Sequence, residues 1–301
     1  MIKTITVTNH LSESVVLDLR NPEPSGFFIR GIEGLGPAKG TINTSESLSL
    51  DGSAYNSARV SERNIVFNLG FLEKPTIEDT RLKTYKYFPL KRRVIISVET
   101  DTRIYQTFGY IESNEPNIFS KEEACLISVI CPNSYFYDTD AIVENFSNIV
   151  NMFSFPFSNE SLTENLIVFS NLLSETQKNI IYSGDSTPGI TMYIHFIGPV
   201  VNLVIYNLIT GESMSIDSDI LIGLTGEGLQ AGDDVVISTS KGNKSVILYR
   251  DGGLINILNT LGEDPDWFSL ERGDNIFYYA VDSGISNLQF RVEYQPLYEG
   301  I

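Results

Sequence analysis

Alternating apolar and polar positions recur along most of the 301 residues, and β-branched and aromatic residues are concentrated in these stretches. A period of two residues is typical of strands that bury one face. The pattern predicts first-half strands near residues 3–9, 14–20, 61–69, 93–99, 103–111 and 124–131. In the second half it predicts strands near residues 190–197, 200–208, 213–217, 234–238, 245–250, 275–281 and 288–294. We therefore expect a mainly β protein.

One helix is predicted, over residues 77–88. Thr76 followed by Asp79 is a variant of the capping box, and Pro89 ends the run. The closely spaced strands of the second half, with almost no helical stretch between them, favour a two-sheet sandwich. Residues 139–150 have both helical and strand-like spacing, and we place a boundary there between domains of residues 1–139 and 140–301.

The formal net charge of −17 is divided unevenly between the halves. Residues 1–140 carry 15 basic and 18 acidic side chains, a net charge of −3, whereas residues 141–301 carry 6 and 20, a net charge of −14. Binding to a phosphate backbone requires clustered cations, so we expect no nucleic acid partner. No apolar run is long enough to span a bilayer, and the start of the chain lacks a signal peptide's apolar stretch, so we expect neither membrane insertion nor an export signal.

Residues suited to catalysis or metal binding are scarce. The two histidines, His10 and His195, are too few for a multi-histidine metal site, and no nucleophile elbow, zinc-protease motif or phosphate loop is present. Cys125 and Cys131 lie six residues apart on one predicted strand, which is too far for a disulfide. We therefore predict no catalytic residue, no metal site and no cofactor.

Two acidic stretches leave alternatives open. The residues around Trp267, the sole tryptophan, fit a sugar-binding loop, but an aromatic anchor packed on the core is the favoured interpretation. Asp217-Ser218-Asp219 has oxygen ligands for calcium without the spacing of a known loop, and a solvated segment is favoured there.

Two other stretches suggest contacts with another chain. Six cations fall within thirteen residues, namely Arg81, Lys83, Lys86, Lys91, Arg92 and Arg93. They indicate either a polar helix face or a surface for an acidic partner such as another copy of this chain. Residues 31–57 are rich in glycine and have a plausible strand only at residues 47–50. A loop of that length is usually functional, which favours an arm that reaches a neighbouring subunit.

A series of short motifs resembles the distal tail protein family of siphophages. The first half carries Ile32-x-Gly34-Leu35-Gly36-Pro37, Asp51-Gly52, Arg59, Arg63, Ile65-Val66-Phe67, Gly109-Tyr110-Ile111-Glu112 and Cys131-Pro132-x-x-Tyr135-Phe136-Tyr137. The second half carries Phe153-Ser154-Phe155-Pro156-Phe157-Ser158, Asn207-x-x-Thr210-Gly211-Glu212 and Trp267-Phe268-x-Leu270-x-x-Gly273-x-Asn275. Each motif is short, and their order along nearly the whole chain is the specific feature.

The resemblance implies an N-terminal split β-barrel-like domain with one flanking α-helix, followed by a C-terminal galectin-like or carbohydrate-module-like β-sandwich. It implies a structural protein of the virion tail tip, assembled in the cytoplasm of the bacterial host. In this family a homohexameric ring connects the tail tube to the tail-tip hub or baseplate and anchors receptor-binding components. The implied partners are other copies of the chain, the tail tube protein, the tail-tip hub or tail-associated protein, and a receptor-binding protein. No catalytic residues are known in the family.

The ring role and the alternative function involve different residues. Subunit contacts are expected from the glycine-rich segment and the basic stretch, at Gly34, Leu35, Arg81, Lys83, Arg92 and Arg93. The alternative function is a carbohydrate-binding module for host surface glycans, with Trp267 as the glycan contact. A tail-tip enzyme such as a peptidoglycan hydrolase lacks a recognisable site.

Overall fold

The computed structural model describes residues 1–46, 51–119, 122–151, 170–262 and 264–301. The strand expected at residues 47–50 and the motif at residues 153–158 lie outside these residues. The chain divides into two compact units, which are Met1–Asp140 together with Leu297–Ile301, and Ala141–Pro296. The last five residues, which the sequence-based division placed with the second domain, are part of the first unit.

Antiparallel strands and one α-helix form the first unit. In chain order these are β1 (Thr4–Thr8), β2 (Ser14–Asp18), β3 (Phe27–Glu33), β4 (Gly40–Glu46), β5 (Ser53–Val60), β6 (Arg63–Phe71), α1 (Ile77–Tyr87), β7 (Arg93–Glu99), β8 (Ile104–Asn117), β9 (Ala124–Cys131) and β10 (Phe136–Asp138). The main sheet has the order β2-β1-β7-β8-β9-β6-β3, and β4 and β5 form a separate two-stranded sheet. Alternate residues of the main sheet, such as Ile5, Phe67 and Ile96, are fully buried in one apolar core.

The helix α1 confirms the predicted start and packs through threonines. Thr76 caps it, since its hydroxyl oxygen accepts a hydrogen bond from the Asp79 N–H at 3.1 Å and donates to the Asp79 carboxylate at 2.6 Å. The buried helix residues are Thr80 and Thr84, and the Thr80 hydroxyl donates to the Leu72 carbonyl at 2.9 Å. The helix is thus held by polar contacts more than by an apolar stripe.

Strands from two larger sheets form the core of the second unit. In chain order its elements are β11 (Ile142–Asn145), β12 (Ser147–Asn151), β13 (Ser170–Ser174), β14 (Gln177–Tyr182), β15 (Thr191–Phe196), β16 (Leu203–Asn207), β17 (Glu212–Ile216), α2 (Ser218–Thr225), β18 (Asp234–Ser238), β19 (Ser245–Arg250), β20 (Gly253–Asn256), β21 (Gly273–Ala280) and β22 (Leu288–Tyr294). The sheets have the orders β11-β22-β15-β18-β19-β20 and β14-β21-β16-β17, and β12 pairs with β13. Residues of both larger sheets, such as Ile194 and Phe277, join one buried cluster. The mainly β fold with a sandwich, expected from the pattern, is confirmed.

The final strand, β23 (Leu297–Tyr298), pairs with β10 in the first unit. Tyr298 is buried there, and its ring meets that of Tyr105 edge-on, with the centroids 5.2 Å apart. The guanidinium of Arg103 donates to the Tyr298 hydroxyl at 2.6 Å. The C-terminal residues are therefore integral to the core of the first unit.

Two expectations from the sequence were wrong. Residues 31–57 were expected to contain a strand only at residues 47–50, but they hold the end of β3, all of β4 and most of β5. The stretch from Asp217 to Asp219 was expected to be a solvated segment, but it begins α2. The Asp217 carboxylate caps that helix by accepting from the N–H groups of Asp219 and Ile220 at 2.8 and 3.0 Å.

Candidate subunit interface

The hairpin of β4 and β5, which we call the arm, is exposed along nearly its whole length. All eight residues of β5 are exposed, and only Thr41 of β4 is partly covered. Side-chain hydrogen bonds of 3.0 Å join the two sides of the hairpin. One lies between Thr41 and Ser61, the residue that follows β5, and one runs from the Asn43 amide to the Ser57 hydroxyl. An isolated two-stranded hairpin is only marginally stable in water. An exposed arm of this kind therefore becomes more stable when another surface covers it.

The register gives the arm two chemically different faces. Ile42 pairs with Ala58, Gly40 with Val60 and Thr44 with Tyr55, and a bulge after Asn43 keeps these partners on one face. Ile42 and Tyr55 are 66% and 67% exposed, so this apolar face is open to solvent. The opposite face carries hydroxyl and amide groups and the guanidinium of Arg59. An exposed apolar face with a polar reverse side is typical of an element that docks on another molecule.

A buried arginine fixes the base of the arm. Arg63 begins β6 just after the returning strand and is only 2% exposed. Its guanidinium donates to the carbonyl oxygens of Gly34 and Gly36, which lie just before the outgoing strand. It also donates to the Ser134 carbonyl at 2.8 and 3.0 Å, and to the Glu299 carbonyl. We call Arg63 and these four carbonyl groups the arm anchor.

The arm anchor holds a cation without a carboxylate. Among the described residues, no acidic side chain lies within ion-pair distance of Arg63. Its guanidinium lies 4.3 Å from the centroid of the Phe136 ring, a cation–π contact. Burial lowers the pKa of the Arg63 guanidinium from its ordinary value, but arginine stays protonated in proteins. Carbonyl dipoles and an aromatic face therefore replace a counter-ion and join both ends of the arm to the C-terminal residues.

Gly34 and Leu35, two of the predicted contact residues, belong to the base of the arm. A Cβ on Gly34 would lie 1.9 Å from the carbonyl oxygen of Asn64, and the backbone φ is +84°, so only glycine fits. Leu35 is partly buried against the core, and its carbonyl accepts from the Ile301 N–H at 3.0 Å. Both residues therefore have a structural role within the chain, and contact with a neighbouring subunit remains a prediction.

The six cations of the basic stretch fall into two groups, and the three on α1 have polar partners within the chain. Arg81 lies 3.7 Å from both Glu78 and Glu123, and Lys86 lies 2.8 Å from Glu13. Lys83 is half-buried, and its ammonium group lies 3.4 Å from the Lys74 carbonyl.

Three consecutive cations at the start of β7 form the second group. Lys91, Arg92 and Arg93 are exposed, and the structure pairs none of the three with an acidic side chain of the described residues. The Arg93 guanidinium lies 4.5 Å from the centroid of the Phe108 ring. On the neighbouring helix, Leu82 and Tyr85 are 50% and 46% exposed. The three exposed cations are suited to an acidic partner.

Trp267, the predicted glycan contact, is a half-buried residue of the second unit. Its ring packs against the buried cluster, and the Lys244 ammonium group lies 4.9 Å from the ring centroid. The neighbouring Asp266 carboxylate accepts from the Ser213 N–H at 2.9 Å. The tryptophan therefore already has protein partners on the surface where a sugar would stack.

The titratable groups give no catalytic constellation in the described residues. No cluster of three His, Cys, Asp or Glu side chains there could hold a metal ion. Both cysteines are free and buried, and burial raises the pKa of Cys125 to about 12 and that of Cys131 to about 11. These thiols are therefore protonated at neutral pH and poor nucleophiles. No helix of the described residues is long and apolar enough to cross a bilayer.

Comparisons with known proteins identify the fold. No protein-family model matches the chain, and no curated protein matches it. The chain is similar to the crystal structure of the SPP1 Dit (gp 19.1) protein, a paradigm of the hub adsorption apparatus in phages that infect Gram-positive bacteria. The two are 10% identical, the alignment covers 98% of this chain and 99% of that one, and the TM-score is 0.64. This chain therefore has the fold of SPP1 Dit.

Two further solved structures are more distant. They are chains of the phage P2 baseplate in its activated conformation, one with Ca and one with Sr. They are 12% and 11% identical to this chain, and the alignments cover 98% and 97% of both chains. Their TM-scores are 0.45 and 0.43.

Proposed function

We propose that this chain is a distal tail protein: a structural protein of a phage tail tip that assembles into a homohexameric ring. In this role the first unit forms the ring and connects the tail tube to the tail-tip hub, and the sandwich unit anchors a receptor-binding component. The single observation that carries the proposal is the exposed arm, whose apolar face lies open in a chain with the fold of SPP1 Dit.

The arm suits the interface that a ring requires. A closed ring is built from head-to-tail contacts, in which one surface of a subunit meets a different surface of the next. The apolar face of the arm is one such surface, and exposed apolar residues elsewhere in the first unit, such as Leu82 and Tyr85, offer receiving positions. The near-neutral charge of residues 1–140 opposes self-association little.

The exposed cations supply a second contact of opposite character. Lys91, Arg92 and Arg93 complement the acidic second unit, with a net charge of −14 over residues 141–301, on a neighbouring copy or on another tail protein. The role proposed here is structural.

The oligomeric state of the purified protein tests the proposal. Size-exclusion chromatography with light scattering is expected to give six times the monomer mass, and negative-stain electron microscopy is expected to show rings. The double variant Ile42→Asp/Tyr55→Asp places charges on the apolar face of the arm and is expected to leave a folded monomer. Ile181→Asp is the matched control, because Ile181 is 71% exposed on a strand of the second unit.

Two results would contradict the proposal. One is a strict monomer at every concentration with no ring in the micrographs. The other is a double variant that forms rings as readily as the Ile181→Asp control, which would place the subunit contact away from the arm.

A further inference from the structure

Residues Leu297–Ile301, which we call the closing segment, fold with the first unit although they follow the second unit in the chain. At one end of the segment, Leu297 and Tyr298 pair with β10, and the Tyr298 side chain is buried in the core of the first unit. At the other end, the next three residues contact the base of the arm. The closing segment therefore joins the core of the first unit to the arm.

Two hydrogen bonds connect the backbone of the closing segment to the base of the arm. The Glu299 carbonyl accepts from the guanidinium of Arg63, and this bond is part of the arm anchor. The Ile301 N–H donates to the carbonyl of Leu35 at 3.0 Å. Both bonds use backbone groups of the closing segment, so they depend on where the segment lies and not on the side chains of Glu299 and Ile301.

Gly300, between these two residues, packs closely against the residues that lead into the arm. A Cβ at Gly300 would lie 3.0 Å from the carbonyl carbon of Gly36 and 3.0 Å from the nitrogen of Pro37. Backbone atoms cannot move aside as the end of a flexible side chain can, so an added methyl group must displace one of the two segments. The close fit at Gly300 therefore links the position of the closing segment to that of the arm base.

The arm depends on its base for its position, because in the described residues β4 and β5 pair only with each other. At the base, the Ser61 N–H donates to the Lys39 carbonyl at 2.9 Å, and the Ser134 hydroxyl donates to the Ser61 carbonyl at 2.6 Å. The arm anchor and the closing segment add the contacts described above. The direction in which the arm leaves the first unit is thus set by a small group of contacts, and the closing segment makes several of them.

The order of these residues along the chain has a consequence for folding. Arg63 and Glu299 are 236 positions apart, and all of the second unit, Ala141–Pro296, lies between them. Synthesis runs from the N-terminus, so the arm and most of the first unit are made before the second unit, and the closing segment is made after it. Until then, Arg63 and the Leu35 carbonyl lack partners that they have in the finished fold.

We propose that the closing segment is a conformational lock on the arm, which is held in a fixed direction only when residues 299–301 are in place. A chain whose second unit is unfinished has a loose arm base, and ordering a loose arm on association costs conformational entropy. Association through the arm is thereby delayed until residues 141–301 have been made. The effect on the arm is a property of the single chain, whereas the effect on association rests on the ring proposed above.

Cutting the folded chain tests the lock. A protease recognition sequence between Gln295 and Pro296, which lie outside the strands β22 and β23, lets the full chain fold before the closing segment is released and removed by gel filtration. Hydrogen exchange in the dilute monomer is expected to become at least about tenfold faster at the Ser61 amide and in β4 and β5, because hydrogen bonds at the arm base are lost. The cut protein is expected to form no rings under conditions in which the uncut protein forms them.

A single methyl group gives a second test that leaves Tyr298 in the core. Gly300→Ala is expected to push the closing segment and the arm base apart, and so to speed exchange at Ser61 and in the arm while the amides of β1 and β7 keep their rates. Gly31→Ala is the matched control, because Gly31 lies on β3 of the same unit and a Cβ there has no neighbouring atom within 4 Å. This control is expected to change exchange nowhere.

The proposal is overturned if exchange in the arm is unchanged both after cleavage and in Gly300→Ala. It is also overturned if Gly300→Ala speeds exchange in β1 and β7 as much as in the arm, because the closing segment would then be only a part of the core. Rings that form as readily from cut as from uncut protein would contradict the delay of association. Faster exchange confined to the arm, with no rings from either protein, would support the lock and contradict the proposed ring.

Discussion

The arm and the β7–β8 hairpin are both antiparallel pairs in the first unit, yet they are stabilised in different ways. β7 buries Val94, Ile96 and Val98 completely and has β1 as a further neighbour. β5 buries no residue, and in the described residues no third strand pairs with the arm. The β7–β8 hairpin is therefore stabilised by the core of its own chain, whereas the apolar face of the arm is left for another surface.

The arm anchor joins the exposed arm to the core of the first unit. Removing its guanidinium is expected to have the largest effect on stability. Arg63→Met keeps an unbranched apolar stem but removes the guanidinium, which leaves the four carbonyl groups of the anchor without their donor. The expected loss is about 4 kcal/mol in the free energy of unfolding of the first unit, because buried polar groups lose their partner. Hydrogen exchange over residues 63–71 measures it.

Two controls accompany this experiment. Arg59→Met removes an exposed arginine four positions earlier, on the arm itself, and is expected to change stability by less than about 0.5 kcal/mol. Trp267 belongs to the second unit, so its fluorescence is expected to report an unchanged urea midpoint there. Equal effects of the two arginine substitutions would show that the anchor is dispensable.

Shortening one isoleucine in each hairpin is expected to have the next largest effect. Ile96→Ala opens a cavity in the core and is expected to cost about 3 kcal/mol, seen as faster exchange over residues 93–99. Ile42→Ala, the same change at a 66% exposed position, is expected to cost less than about 0.5 kcal/mol in the dilute monomer. A comparable loss from Ile42→Ala would mean that the arm packs on its own subunit.

Core strands were predictable from the sequence, and the arm was not. Strands such as β7 and β9 alternate because one face is buried, and that period was visible in the residues. The arm has one apolar face of only a few small or isolated residues, and the Asn43 bulge interrupts its register, so no period was apparent. Its strands were therefore missed, although an arm was expected from the length of the segment.

Some features of the candidate interface were also visible in the sequence, and others were not. The basic stretch was evident as a cluster of charge, but only coordinates separate the ion-paired Arg81 and Lys86 from the exposed cations at residues 91–93. Arg63 carried a motif but no sign of burial, because its acceptors are backbone groups of distant segments.

The smallest expected effect concerns an exposed ion pair that joins α1 to the turn between β1 and β2. The hydrogen bond from Lys86 holds the pKa of Glu13 below its ordinary value of 4.5, with a further contribution from Asn9. A depressed pKa in the folded state means that the ionised carboxylate contributes stability above pH 4.5 and loses it as the pH falls through the folded value. Glu13→Gln is therefore expected to lower the Tm slightly at neutral pH, with a difference from the parent protein that vanishes in acid. Glu46→Gln, on the exposed strand β4, is expected to show no such convergence, and a constant offset for Glu13→Gln at every pH would assign the effect to packing instead of charge.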